Sequence, residues 1–135
     1  KKAILASSSG NGFIINNDDM VSNRKSGKVI LNIKEGEKAS FCKHIIGSHI
    51  AIIGQNKKML IFPIEELPQM SKGKGVRLQK YKDLGALFIQ TFNPEEGLII
   101  EDSGGRNRVY SDINDWLGKR AQAGRLVPKG FPKLD

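Results

Sequence analysis

Phe13-Ile14-Ile15, Asp18-Asp19-Met20 and Val29/Leu31 return further along the chain as Leu60-Ile61-Phe62, Glu65-Glu66-Leu67 and Val76/Leu78, every piece displaced by 47 residues. A weaker third copy follows at an offset of 49, carrying Ile64, Glu66 and Gly75 to Ile113, Asp115 and Gly124. Each copy has a short apolar run, a Gly/Asn turn, a second apolar run, acidic residues and then a basic stretch without acids. Repeats of roughly 40–50 residues built from short apolar runs and turns are the signature of propeller blades. The expected fold is therefore all-β and propeller-like, with about three blades of roughly four strands. The repeats run approximately over 1–47, 48–96 and 97–135 within one domain. Closed propellers take at least about four blades, so three imply an array that stays open or is truncated.

Each repeat carries one hairpin. Ala3–Ser7 and Gly12–Asn16 flank Ser8-Ser9-Gly10-Asn11, a turn sequence suited to closing antiparallel strands. Ile50–Ile53 and Met59–Pro63 flank Gly54-Gln55-Asn56-Lys57, and Leu98–Ile100 and Asn107–Tyr110 flank Ser103-Gly104-Gly105. Val29–Ile33, Val76–Tyr81 and Arg125–Val127 supply a third strand per repeat, and Ala39–Cys42 or Leu87–Phe92 a fourth. The one stretch with helix signals is Ser111–Leu117, with a cap at Ser111 and acids near the positive end of the dipole. Gly124–Asp135 reads as a final strand and a tail. Phe13, Ile15, Ile52, Leu60 and Phe62 are expected to face the core between blades.

The 135 residues carry 22 Lys+Arg against 14 Asp+Glu, a formal net charge of +8. Such a balance suits an anionic partner, nucleic acid or an acidic surface, or simply a solvated basic exterior. The single cysteine, Cys42, excludes an intramolecular disulfide and fits a reducing cytoplasm. No apolar run approaches the length of a membrane-spanning helix, and the opening Lys1–Ala6 is too short for a signal peptide.

The cations keep register with the repeat. Arg24, Lys25, Lys28 and Lys34 lie in one acid-free stretch, Lys72, Lys74, Arg77, Lys80 and Lys82 in the second, and Lys119, Arg120, Arg125, Lys129 and Lys133 in the third. Equivalent strands of rotated repeats share one edge, so these segments are expected to form a continuous positive band matched to a phosphate backbone. Lysines on outer strands also block edge-to-edge aggregation. Gly27, Gly73 and Gly75 beside them favour the phosphate reading, because bare backbone approaches a ligand closely. The expected DNA-contacting residues are Arg24, Lys25, Lys28, Lys72, Lys74, Arg77, Lys80, Lys119, Arg120 and Arg125.

Catalytic chemistry finds little support. Cys42, His44 and His49 supply only three potential zinc ligands at irregular spacing, which favours a structural or surface role over metal binding. The pairs Asp18-Asp19 and Glu65-Glu66 diverge on extended backbone and recur with the repeat, as turn residues or charge partners of the basic band do. Gly73-Lys74-Gly75 lacks the phosphate-loop spacing. Tyr81 and Tyr110 have no activating partner nearby in sequence, and Trp116 reads as packing between blades. No catalytic residue, metal site or cofactor is expected in this chain.

Leu60–Pro68 followed by Gln69-Met70-Ser71-Lys72-Gly73-Lys74-Gly75-Val76-Arg77-Leu78 resembles a blade of the C-terminal domain of bacterial type IIA topoisomerases. Trp116-Leu117-Gly118-Lys119-Arg120-Ala121, with Ala123-Gly124-Arg125 and Gly130-Phe131-Pro132, resembles the end of the A subunit in the topoisomerase IV branch. The resemblance spans essentially the whole chain. It implies a β-pinwheel whose blades exchange strands and whose basic rim binds and bends double-stranded DNA for ATP-dependent strand passage. It implies as partners the core of the same topoisomerase IV polypeptide and the ATPase subunit, which supply ATP and Mg chemistry, and a cytoplasmic, nucleoid-associated location without membrane contact. The gyrase box, a Gln, two basic residues, Gly-Gly, a basic residue and Gly, is met only at Gln69, Gly73, Lys74 and Gly75. Met70, Ser71 and Lys72 depart from it, which favours relaxation and decatenation over gyrase-like wrapping. A propeller that docks an acidic protein partner is the other reading of the same basic rim.

Overall fold

The computed structural model describes residues 1–25, 39–81 and 85–134. Its elements, in chain order, are β1 (Lys2–Ser7), β2 (Asn11–Asn16), α1 (Asn17–Lys25), β3 (Ala39–His44), β4 (His49–Gly54), β5 (Lys58–Pro63), β6 (Val76–Arg77), β7 (Ala86–Phe92), β8 (Leu98–Glu101), β9 (Asn107–Tyr110) and β10 (Arg125–Leu126). The strands begin in step with the sequence period: β1 and β4 at 2 and 49, β2 and β5 at 11 and 58, β3 and β7 at 39 and 86. The expected strand at Val29–Ile33 and the cation Lys28 lie outside the described residues.

Among the described residues three antiparallel sheets result, in the orders β3-β1-β2-β6, β7-β4-β5-β10 and β8-β9. A sheet and a repeat are not coextensive. β6 belongs in sequence to the second repeat but pairs with β2 of the first, Arg77 opposite Asn11 and Val76 opposite Gly12. β10 does the same one step on, placing Arg125 opposite Met59 and Leu126 opposite Lys58. At the other edge Thr91 Oγ1 donates to the His44 carbonyl at 3.0 Å and accepts from the Ile46 amide at 2.9 Å, tying β7 to the end of β3.

The sheets stack face to face because side chains alternate along each strand. Ile4, Ala6 and Ile14 of the first sheet meet Ile50, Ile52, Leu60 and Phe62 of the second. The opposite face of the second sheet sets Ala51, Ile53, Met59 and Ile61 against Leu98 and Ile100 of the third. Ile52, Leu60 and Phe62 thus lie where the sequence puts them. Phe13 and Ile15 are buried, but on the far face of the first sheet with Ala3, under Met20 of α1 and Met70. Their neighbour Ile14 is the one that enters the inter-sheet core.

Helix α1 departs from expectation. Asn16 Oδ1 caps the Asp18 amide at 2.9 Å, and Asp18 and Asp19 fill the first turn, where carboxylates complement the dipole. The equivalent Glu65-Glu66 forms only a 3-10 turn, Ile64–Glu66. Ser111–Leu117, the stretch with helix signals, holds a 3-10 turn over Asn114–Trp116. The C-terminal segment also packs more than a tail would, since Phe131 and Leu134 join the second core.

Phe62 is fully buried between two sheets, so Phe62→Ala is expected to cost about 3–5 kcal/mol. Denaturant unfolding of the purified chain checks this, and a loss under about 1 kcal/mol is incompatible with the packing described.

Candidate nucleic-acid interface

Two homologous segments carry Lys72, Lys74, Arg77 and Lys80 in one case and Lys119, Arg120 and Arg125 in the other, and both are pinned to the sheet of the preceding repeat. After the turn at Ile64–Glu66, the Ile14 amide donates to the Pro68 carbonyl at 2.9 Å and the Met70 amide to the Ile14 carbonyl at 2.8 Å. β6 then pairs with β2, and the Leu78 amide reaches the Gly10 carbonyl at 2.9 Å. With Leu78 and Gln79 buried, Lys72, Lys74, Arg77 and Lys80 are left at the surface on a fixed backbone. One repeat later the Gly118 amide donates to the Ile61 carbonyl and the Val127 amide to Lys57, at 2.9 and 3.0 Å, on either side of β10. Lys119 and Arg125 are exposed along this second segment.

Gly75 and Gly124 explain how the donated strands fit. Both have φ near +80°, and a Cβ at either would collide with a backbone carbonyl of the strand it joins, Gly12 for Gly75 and Met59 for Gly124. The bare backbone at Gly75 therefore serves strand exchange, which corrects its reading as a phosphate approach. Gly73, at φ +137°, would meet only the flexible end of Met70.

The two segments also join one another. The Ala121 amide donates to the Leu78 carbonyl at 3.0 Å and the Lys80 amide to the Gln122 carbonyl at 2.9 Å. Fully buried Gln79 donates through Nε2 to the Lys58 and Ala123 carbonyls at 3.0 and 2.9 Å. Arg120 is half-buried in this junction. Its amide donates to Glu66 Oε1 at 2.7 Å and its guanidinium to the Arg77 carbonyl at 2.8 Å. Glu66 thus accepts from the backbone of the basic segment and forms no ion pair among the described residues, so it is not the charge partner its recurrence suggested, and Arg120 is itself engaged in the junction.

Tyr81 lies against the turns of two hairpins, since a Cβ at Gly10 or Gly54 would strike its ring. Its buried hydroxyl has no hydrogen-bond partner among the described residues. Burial pushes the phenol well above its usual range, and the nearby Arg77 charge opposes this only in part. A phenol held neutral in this way is a poor nucleophile.

Of the remaining expected contacts, Arg24 and Lys25 lie in the last turn of α1 and not on an edge strand. Among the described residues no three His, Cys, Asp or Glu side chains converge as a metal site would require. Cys42 is exposed on β3, while His49 bonds Ser48 through Nδ1 at 2.8 Å. Trp116 packs on the second core and donates from Nε1 to the Leu126 carbonyl at 3.0 Å. No described helix is long and apolar enough to cross a membrane.

Residues 1–43 and 48–85 match the family described as DNA gyrase C-terminal domain, beta-propeller. The chain belongs to this family. It is 47% identical over 131 residues to the A subunit of DNA topoisomerase 4 from Caulobacter vibrioides, covering 97% of this chain and 17% of that protein. The same-named protein of Rickettsia bellii is 44% identical, with 96% and 18% covered. The chain therefore spans less than a fifth of the length of these relatives. Among solved structures, the E. coli ParC C-terminal domain superposes over the whole chain and 58% of its own length, with a TM-score of 0.75 at 22% identity. A C-terminal domain of DNA topoisomerase IV gives 0.70 at 11% identity, over 94% of this chain and 42% of its own. These structures support the pinwheel: all-β, propeller-like, with strands exchanged between blades.

Removing a buried hydroxyl that has no partner among the described residues relieves a desolvation cost. Tyr81→Phe is expected to leave stability unchanged or raise it by up to about 1 kcal/mol. Its duplex-DNA affinity should stay within a few-fold of wild type. Denaturant unfolding and a binding titration check the two halves, and a marked destabilisation would show that the hydroxyl has a partner.

Proposed function

We propose that the chain is the DNA-binding and DNA-bending part of a topoisomerase IV A subunit. In this reading it presents duplex DNA for ATP-dependent strand passage, decatenation and relaxation by the rest of the enzyme. The observation that carries this reading is the surface position of Lys72, Lys74, Arg77, Lys80, Lys119 and Arg125 on two homologous segments hydrogen-bonded to the preceding sheets. Cations held on fixed backbone at repeated positions suit a sequence-independent polyanion, because phosphate contacts position a duplex without reading its bases. The family match and the topoisomerase relatives supply the kind of polyanion. Arg24, Lys25 and Lys28 are proposed as further phosphate contacts from the first repeat, while Arg120 joins the second and third basic segments.

The chain itself acts here without catalysis. It uses no cofactor, and ATP and Mg chemistry, together with strand cleavage, belong to the remainder of the topoisomerase and its ATPase subunit. The setting of this activity is the bacterial cytoplasm, at the nucleoid.

The variant Lys72→Ala/Lys74→Ala/Arg77→Ala removes three surface cations and leaves the Arg77 carbonyl that Arg120 uses. Its affinity for unrelated duplexes should fall by similar factors. The slope of log K against log salt should flatten by about 0.9 for each phosphate that is no longer neutralised. Fluorescence anisotropy over a salt series measures both quantities. Equal affinity and slope in the folded variant would remove these residues from the interface, and preferential binding of an acidic protein over duplex DNA would favour the docking alternative.

A further inference from the structure

Beyond the rim segments, the third repeat holds a separate cationic cleft. The chain leaves β10 past Val127 and returns against the β8–β9 hairpin, where Arg108 Nη1 donates to the Gly130 carbonyl at 2.7 Å. The Tyr110 and Phe131 rings stack at 5.1 Å between centroids. The space left between hairpin turn and returning segment is about 490 Å³, bounded by Asp102, Gly104, Arg106, Arg108, Gly130 and Lys133 among others.

The charges in this cleft are arranged, not merely present. Asp102 Oδ1 accepts from the Gly104 and Arg106 amides, both at 2.9 Å, and Oδ2 faces Arg108 Nε at 3.5 Å. The carboxylate is therefore occupied in shaping the turn and in orienting Arg108, whose guanidinium keeps N–H donors beyond the contacts to Asp102 and Gly130. The side chains of Arg106 and Lys133 are exposed, with no hydrogen bond or ion pair among the described residues. Three cations against one engaged carboxylate leave the cleft positive. Nothing lies within 4 Å of the position a Cβ would take at Gly130, so the backbone there is open to a ligand oxygen.

We propose that this cleft binds a backbone phosphate of duplex DNA, with Arg108 as the oriented donor and Arg106 and Lys133 as flanking cations. The proposal rests on the DNA-binding reading above and extends it to Arg106 and Arg108, which lie outside the three basic stretches that keep register with the repeat. Continuity favours DNA as the source of the phosphate. Exposed Arg125, Lys129 and Lys133 follow one another from the donated strand to the cleft, each step spanning at most about 14 Å of chain. Such steps lie well within the roughly 34 Å of one duplex turn.

The test compares Arg106→Ala/Lys133→Ala with wild type and with Lys1→Ala/Lys43→Ala, which removes the same charge from exposed sites elsewhere. Duplexes of unrelated sequence are titrated over a salt series, and inorganic phosphate is titrated separately by calorimetry. The expected result for the cleft variant is a salt slope flatter by up to about 0.9, for the one phosphate no longer neutralised, and an affinity lower by on the order of tenfold at 0.1 M salt. The Lys1/Lys43 variant should change much less. Equal effects of the two double variants would overturn the proposal. Lost phosphate binding with unchanged DNA affinity would assign the cleft to a small phosphorylated ligand and overturn it equally. If wild type binds duplex and the Lys72/Lys74/Arg77 variant is weakened while the cleft variant is not, the cleft assignment alone fails. Absence of wild-type binding would sink the underlying reading.

Discussion

The donation of a short strand by each repeat to the sheet before it is the constraint on which the rest of the molecule depends. Neither β6 nor β10 exceeds two residues, and so short a strand gains little from its own ladder hydrogen bonds. What holds each in register is the junction around it. Gly75 and Gly124 let the backbones touch, Leu78 enters the core, and the Gln79 amide bridges two carbonyls from different segments. A buried amide with both donors used is specific in geometry, since a one-residue slip would leave them unpaired. Because sheets one and two share chain in this way, the repeats are coupled more tightly than stacked units that touch only through side chains.

Strand donation also decides where the charge goes. A donated strand is always the edge strand of its sheet, and exposed edges tolerate cations better than apolar residues. Edge protection alone would place lysines on the paired residues. Here Lys72 and Lys74 precede β6, Lys80 follows it and Lys119 precedes β10, so the cations cover the whole length of the pinned segments. The cost of holding Arg77 and Lys80 near Arg120 is reduced because the Arg120 guanidinium is engaged by a carbonyl and its amide by Glu66. One member of the basic cluster thus helps to build the surface that the others occupy.

The period of the sequence made the hairpins and much of the core readable, since an offset of 47 residues reappears as the offset between strands. It also misled where copies differ. Treating Asp18-Asp19 and Glu65-Glu66 as equivalent hid the fact that Asn16 caps a helix in one case, while the other copy, following Pro63, makes a single 3-10 turn. Phe13 and Ile15 are the repeat equivalents of Leu60 and Phe62, yet the face they occupy is covered in part by α1 and Met70, partners that no periodicity specifies. Gly75 has two local explanations, ligand approach and chain approach, and the partner that decides between them, Gly12, is distant in sequence. Arg106 and Arg108 fall outside the three basic stretches that keep register with the repeat, on the turn side of the β8–β9 hairpin. The turn that makes Asp102 a scaffold for Arg108 is visible only in three dimensions.

On the proposed reading, a rigid surface has a mechanical consequence for its ligand. Lys72, Lys74, Arg77 and Lys80 sit on backbone tied at Ile14 and Gly10, and Lys119 and Arg125 on backbone tied at Ile61 and Lys57. Their spacing is fixed by the stacking of sheets through Phe62, Ile61 and their neighbours and not by flexible linkers. A duplex engaging both segments has to conform to the protein. Smooth bending of a 20–30 bp stretch by 40–90° costs on the order of 1–6 kcal/mol, a range that a few phosphate contacts on one side can offset. The buried core between sheets would then set the curvature of the DNA, and the exposed cations would set how strongly that curvature is held.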